Sequence, residues 1–223
     1  MTTSWNRGLS PENFYRLARP GMIAHVRSYG VMGRLIRWAL THWQERECRA
    51  HGWPEEEVWG NHDGLVCHGC DVGEAAPGGV SITPVETYIK QMRRGEIQVR
   101  LFEPIPPNIT HMMQAQDNLL RYYIGSPYDY LAFGRLLYKS LVMDWSDIKP
   151  TTWLERWKKR FGDHAAGMKW ANWCTEVCAE SYLSFHPFLN LWGTANPTPM
   201  TTEQVAGIIK SDKVVTLREV TCA

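Results

Sequence analysis

Asn61-His62-Asp63-Gly64-Leu65-Val66, then Cys67-His68-Gly69-Cys70-Asp71, then Val72-Gly73-Glu74, is the stretch on which the fold turns. Leu65 and Val66 form the apolar centre of a run over residues 62–68 that reads as a β-strand. Gly69 marks a tight turn. Residues 72–74 return as a second short strand, which Pro77-Gly78-Gly79 ends. Such a hairpin sets His62 and Glu74 on neighbouring strands, where the carboxylate can face the imidazole across the pair.

Working outward, Thr83-Pro84-Val85-Glu86 has the form of a capping box, with threonine as cap and glutamate three residues on. The helix it opens is expected to run to about Arg94 and to stop at Gly95. Residues 96–102 alternate apolar Ile97, Val99 and Leu101 with polar neighbours, which predicts a half-buried strand. Pro104, Pro106 and Pro107 make a stiff crossover into a helix over residues 109–123, ended by Gly125.

Upstream, Ser10-Pro11-Glu12 is a helix start, with serine as cap and proline at the first helical position. That helix reaches about Ala18. Residues 22–26 read as a strand. Residues 31–49 carry Leu35, Ile36, Leu40 and Trp43 at helical spacing and predict a long helix. Downstream, helices are expected over residues 130–142 and 173–185, a short one begins at residues 201–204, and a closing strand spans residues 214–220. Residues 144–171 are the least regular part and read as an insert or lid with a short helix near residues 153–160. The order of elements gives an α+β layout with a small, mostly antiparallel sheet.

The chain has 223 residues, of which 44% are hydrophobic, enough for one domain with a sizeable core. A net charge of +1 gives no whole-molecule pull toward nucleic acid or anionic lipid. Arg93-Arg94 and Lys158-Lys159-Arg160 read as solvated helix ends. No stretch approaches the roughly 18 uncharged apolar residues of a membrane span, and the first 20 residues lack a secretory pattern. Synthesis in the cytoplasm is the expectation, with delivery elsewhere left open. The 6 cysteines are too sparse for a disulfide scaffold, so mostly free thiols are expected.

Cys174 stands in Asn172-Trp173-Cys174-Thr175-Glu176-Val177. Asn172 can cap the helix that follows, which puts the sulfur in the first helical turn. Unpaired amides and the helix dipole there favour a thiolate, and the thiolate is the nucleophile. The Cys174 N–H would also point toward a developing oxyanion. Cys178, one turn further on, reads as a buried core cysteine. A histidine such as His62 can take the thiol proton and return it to a leaving group, provided that a third polar group orients it. Glu74 is placed to do so.

Together these segments resemble the circularly permuted NlpC-type papain-like cysteine hydrolases. Asn61-His62-Asp63-Gly64-Leu65-Val66 resembles the family's His-x-Gly-(Ile/Leu)-Val strand. Gly73-Glu74-Ala75-Ala76-Pro77-Gly78-Gly79-Val80 resembles the strand after it, and Thr83-Pro84 the helix entry. Gly125-Ser126-Pro127-Tyr128-Asp129 resembles Gly-x-Pro-Tyr-Asp, and Trp173-Cys174-Thr175-Glu176-Val177 resembles (Phe/Tyr)-Cys-Ser-Glu-Leu. Arg19-Pro20-Gly21-Met22-Ile23 looks like the entry strand, with Met22 where aspartate is usual. The segments stand in permuted order, histidine before cysteine.

The resemblance implies a single papain-like domain over residues 1–223, with Cys174 as nucleophile, His62 as base and Glu74 as orienting residue. It implies that Tyr128 lines the cleft and helps bind substrate or oxyanion. The implied activity is hydrolysis of an amide or related acyl bond, with peptide or acyl-amide substrates such as cell-wall peptide. Some permuted relatives act on lipids, so a lipid-directed acyl hydrolase or acyltransferase is the neighbouring alternative. No cofactor, metal, nucleic-acid partner or membrane span is expected.

Two further readings stand beside it. Cys67-His68-Gly69-Cys70 has zinc-ligand spacing, and Cys48 with His51 would have to complete four ligands. A non-catalytic binding or structural protein on the same fold would use the tryptophan-rich insert and the loop at Trp53 and Trp59 as its recognition surface.

Overall fold

The computed structural model describes residues 8–51, 59–104, 109–128, 178, 181 and 217–221. In chain order these form α1 (Pro11–Leu17), β1 (Ile23–Ser28), α2 (Val31–His51), β2 (His62–Val66), β3 (Val72–Ala76), β4 (Gly79–Thr83), α3 (Val85–Arg93), β5 (Ile97–Pro104), α4 (Ile109–Asn118) and β6 (Leu217–Val220). The strands make one six-stranded sheet in the order β4-β3-β2-β1-β5-β6. Each neighbouring pair is antiparallel. The α+β class expected from the sequence is therefore observed.

Central position explains the composition of β1. Ile23, Ala24, His25 and Val26 are all buried, so both faces of this strand are covered. Ala24, Val26, Val66, Val72, Val99 and Leu101 share one face by register. They pack with Phe14 of α1 and with Val85 and Tyr88 of α3 into a continuous core. Phe14 is fully buried and its ring stacks on that of Tyr88, with centroids 6.1 Å apart. Burying a side chain of that size stabilises the fold by about 2–3 kcal/mol. On the opposite face Gly73 lies directly under the Leu119 side chain, where a Cβ would collide.

Helix starts follow the sequence in one case and depart from it in another. The Ser10 hydroxyl accepts the Asn13 N–H at 3.2 Å, as a serine cap should. Thr83 does not cap α3. Its hydroxyl donates instead to Glu74 Oε1 at 2.5 Å. A hydrogen bond to an ionised group is roughly twice as strong as a neutral one, so the buried carboxylate wins the hydroxyl. The α3 amide at Val85 donates to Asp71 Oδ1 at 2.9 Å. The helix is thus capped from the β2–β3 connection, across the sheet edge.

A strand was also hidden. Pro77-Gly78 does not end the pairing but forms a two-residue turn, with Ala76 opposite Gly79, and β4 continues to Thr83. Gly79 has φ +108, and a Cβ there would lie 2.7 Å from the Ser126 carbonyl oxygen, so glycine is required. The helix expected over 109–123 is α for its first 10 residues and then a π-helical turn, Leu119–Tyr123. Gly125, with φ 82, closes it as expected. Expected elements over residues 130–142, 144–171 and 201–204 lie outside the described residues. Of the helix expected over 173–185, Cys178 and Ser181 are described, and both are helical.

Candidate functional site

His62 opens β2, opposite Val26 of β1. The residue before it fixes its backbone. Asn61 is buried; its N–H donates to the Val26 carbonyl at 2.9 Å, its Oδ1 accepts the Ser28 N–H at 2.7 Å, and its Nδ2 donates to Ser28 Oγ at 3.1 Å. Gly33 lets α2 approach this lock, since a Cβ there would strike Ser28 Oγ. His62 therefore leaves the sheet from a pinned point rather than from a free loop.

Glu74 lies on the same face as His62, because it pairs with Gly64, two residues along the same strand. His62 Nε2 and Glu74 Oε2 are 2.7 Å apart. The Tyr88 hydroxyl donates to the same Oε2 at 2.6 Å, and the Thr83 hydroxyl takes Oε1. Burial by itself would raise the Glu74 carboxyl. The hydrogen bond and charge of His62, helped by Thr83 and Tyr88, outweigh it and hold the group down at about 2, against 4.5 for an ordinary glutamate. Glu74 is accordingly an anion at neutral pH.

That fixes the imidazole. An ionised carboxylate only accepts, so His62 Nε2 carries the hydrogen and donates it. In the neutral ring Nδ1 is then the basic nitrogen. The His62 side chain is 22% exposed and that of Glu74 11%, so the dyad opens to solvent at the ring and closes at the carboxylate. Chemically this is a histidine with a fixed tautomer and a solvent-facing ring, the form that general-base chemistry requires.

Tyr128 stands two residues after Ser126 in the chain. The turn before it is tied to β4, with the Val80 N–H on the Ser126 carbonyl and the Gly125 N–H on the Val80 carbonyl, each at 2.8 Å. The tyrosine hydroxyl that reaches Glu74 is that of Tyr88, a residue not singled out from the sequence. Cys174, with Asn172, Trp173 and Thr175, lies outside the described residues, as does Asp129. Cys178 is fully buried, and Ser181, three residues on, accepts the Asn118 Nδ2 hydrogen at its carbonyl at 2.9 Å.

A second histidine–carboxylate pair lies on the opposite face of the sheet. His25 Nδ1 and Asp63 Oδ1 are 2.8 Å apart, and both side chains are fully buried. Trp59 and Phe102 pack against the His25 ring with centroids at 5.3 and 5.9 Å, and Arg100 stacks over Trp59 at 4.2 Å. Gly60 is pressed onto the ring where a Cβ would clash. Trp59 is therefore a core residue, which removes it from the recognition surface that the binding-protein alternative requires. Trp53 lies outside the described residues. Neither His25 nor Tyr88 was singled out from the sequence. The available signals were a lone histidine within an otherwise apolar strand and a tyrosine on the inner side of an amphipathic helix, each of which needs a polar partner when buried.

The Cys67–Cys70 turn has its own geometry. The Cys67 thiol is directed at the Leu65 carbonyl at 3.6 Å, and that of Cys70 at the Ala18 and Tyr15 carbonyls at 3.7 and 3.8 Å. Burial pushes the Cys67 thiol up to about 11, which opposes the thiolate that a metal needs. Among the described residues no group of three or more His, Cys, Asp or Glu side chains could hold a metal ion. No helix among them is long and apolar enough to cross a membrane.

Comparisons of this chain with family models, with curated proteins and with solved structures return no match.

Proposed function

We propose that the protein is a cysteine hydrolase that cleaves an amide or related acyl bond, with Cys174 as nucleophile, His62 as base and Glu74 as the residue that orients it. One observation carries this reading: Glu74, held by three donors, fixes His62 with Nε2–H toward the carboxylate. In this reading Nδ1 is the nitrogen that serves the sulfur. In the resting step Nδ1 takes the Cys174 proton, and the thiolate attacks the acyl carbon. The oxyanion is met by the Cys174 N–H, with the Tyr128 hydroxyl assisting. The imidazolium then gives its proton to the leaving amine. A water molecule, deprotonated by Nδ1, hydrolyses the thioester and restores the thiol. Throughout, Glu74 stays ionised and steadies the positive ring.

Cell-wall peptide is the first substrate to try, followed by lipid amides and esters and by protein isopeptides. Incubation with peptidoglycan fragments and acylated probes, followed by intact-mass and peptide mapping, is expected to find an acyl adduct on Cys174 that is lost in Cys174→Ala. Turnover of the same substrate by Cys174→Ala at the wild-type rate excludes the scheme.

A further inference from the structure

Glu74 Oε2 has two claimants, His62 Nε2 at 2.7 Å and the Tyr88 hydroxyl at 2.6 Å, while Oε1 is engaged by Thr83. An orienting carboxylate needs only the first of these contacts. The second is costly to arrange, because the fold must bring a helix onto a strand with hydrogen-bonding accuracy. It does so in three steps. Asp71 caps α3 from the β2–β3 connection. Phe14 stacks on the Tyr88 ring and sets its tilt, with an interplanar angle of 14°. The Tyr88 hydroxyl, on a residue only 2% exposed, then meets the carboxylate.

A donor on the oxygen that the imidazole uses withdraws electron density from that oxygen and makes it a weaker acceptor. We propose that Tyr88, seconded by Thr83, is a positioning residue that limits how strongly Glu74 holds the His62 proton, and so keeps the ring a base that can release protons near neutrality. The proposal deepens the role given to His62 above. An imidazole facing an undivided buried carboxylate would stay protonated and would lose its power as a general base. Among the described residues, Glu74 from β3 meets His62 and Tyr88 from α3 meets Glu74, while Glu103 of β5 shares the sheet face by register but lies beyond β1. β1 presents apolar Ala24 and Val26 there, β4 presents neutral Ser81 and Thr83, and α1 presents Phe14.

The test follows the His62 ring by NMR across pH in the full chain, with no substrate needed. Tyr88→Phe keeps the ring that packs on Phe14 and removes only the donor. Its His62 midpoint is expected to rise by roughly 0.5 unit. Thr83→Val should raise it less, since Thr83 holds the other oxygen, and Thr83→Ser should restore the wild-type value. Glu74→Gln should lower it. Fluorotyrosine at position 88, a stronger donor, should move the midpoint downward and serves if Tyr88→Phe does not fold. A midpoint unchanged or lowered in Tyr88→Phe, or unmoved by fluorotyrosine, overturns the proposal. Cys174 alkylation measured on the same samples separates the two levels. Ordinary slow labelling of Cys174 in the wild type, with His62 still shifting in Tyr88→Phe, removes the hydrolase and leaves the tuning intact.

Discussion

The two faces of the sheet carry the same chemical pair in different settings. His62–Glu74 stands at 2.7 Å with side chains 22% and 11% exposed. His25–Asp63 stands at 2.8 Å with both side chains fully buried. One strand, β2, contributes to both, since His62 and Asp63 are consecutive residues that point to opposite faces, His62 toward Glu74 of β3 and Asp63 toward His25 of β1. Distance does not distinguish them; access does. Trp59, Phe102 and Gly60 seal the His25 ring, so no substrate reaches it, whereas the His62 ring meets solvent. A sealed pair holds strands in register, and an open one can move protons to an outside group.

The comparison breaks most visibly under mutation. Asp63→Ala strands a buried partner and is expected to destabilise the fold by about 3–5 kcal/mol in denaturant melts. If it costs no more than a surface substitution, the His25–Asp63 pair does not clamp the strands. Acid sharpens the outer pair. The Glu74 carboxyl sits at about 2 in the folded chain against 4.5 unfolded, so its contribution is present above pH 4.5 and fades as pH falls toward 2. That contribution is on the order of 3 kcal/mol. Melts taken across this window should show the loss in the wild type and a flatter profile in Glu74→Gln. Identical slopes would contradict the depressed carboxyl. The smallest effect belongs to the support beneath it. Asp71→Ala removes the cap of α3 and should cost about 1 kcal/mol, with Thr83→Ala unable to mimic the loss of helix content by circular dichroism.

Much of this is legible in the sequence alone. Alternation at Ile97, Val99 and Leu101, the Ser10-Pro11 start, and the stops at Gly95 and Gly125 are local signals, and each has a local cause. The proximity of His62 and Glu74 was legible for the same reason, since a short hairpin leaves few registers. Thr83 misled because it satisfies two rules at once. It fits a capping box in sequence, but it ends β4 beside the buried Glu74 carboxylate of β3, and the charge took the hydroxyl. β4 was obscured by the Pro77-Gly78 turn, which looks like a terminus until the strand beyond it finds its partner. Tyr88 and His25 owe their roles to contacts across elements, Tyr88 to β3 and Phe14, His25 to Asp63 and Trp59. No window of neighbouring residues contains that information. The surface ion pairs of Arg93 with Glu12 and Arg94 with Glu96, at 3.6 and 3.7 Å, agree with the solvated helix end expected there, where water screens them.

The most direct test of the account is the rate at which iodoacetamide labels Cys174 between pH 5 and pH 9, read by peptide mapping in the wild type and in His62→Ala. An imidazole held by Glu74 predicts a thiolate already reactive well below the ordinary cysteine range of about 8.5, and a drop of at least roughly tenfold at pH 6.5 when the ring is removed. Superimposable profiles rising only near that ordinary value would mean that His62 and Cys174 do not work together.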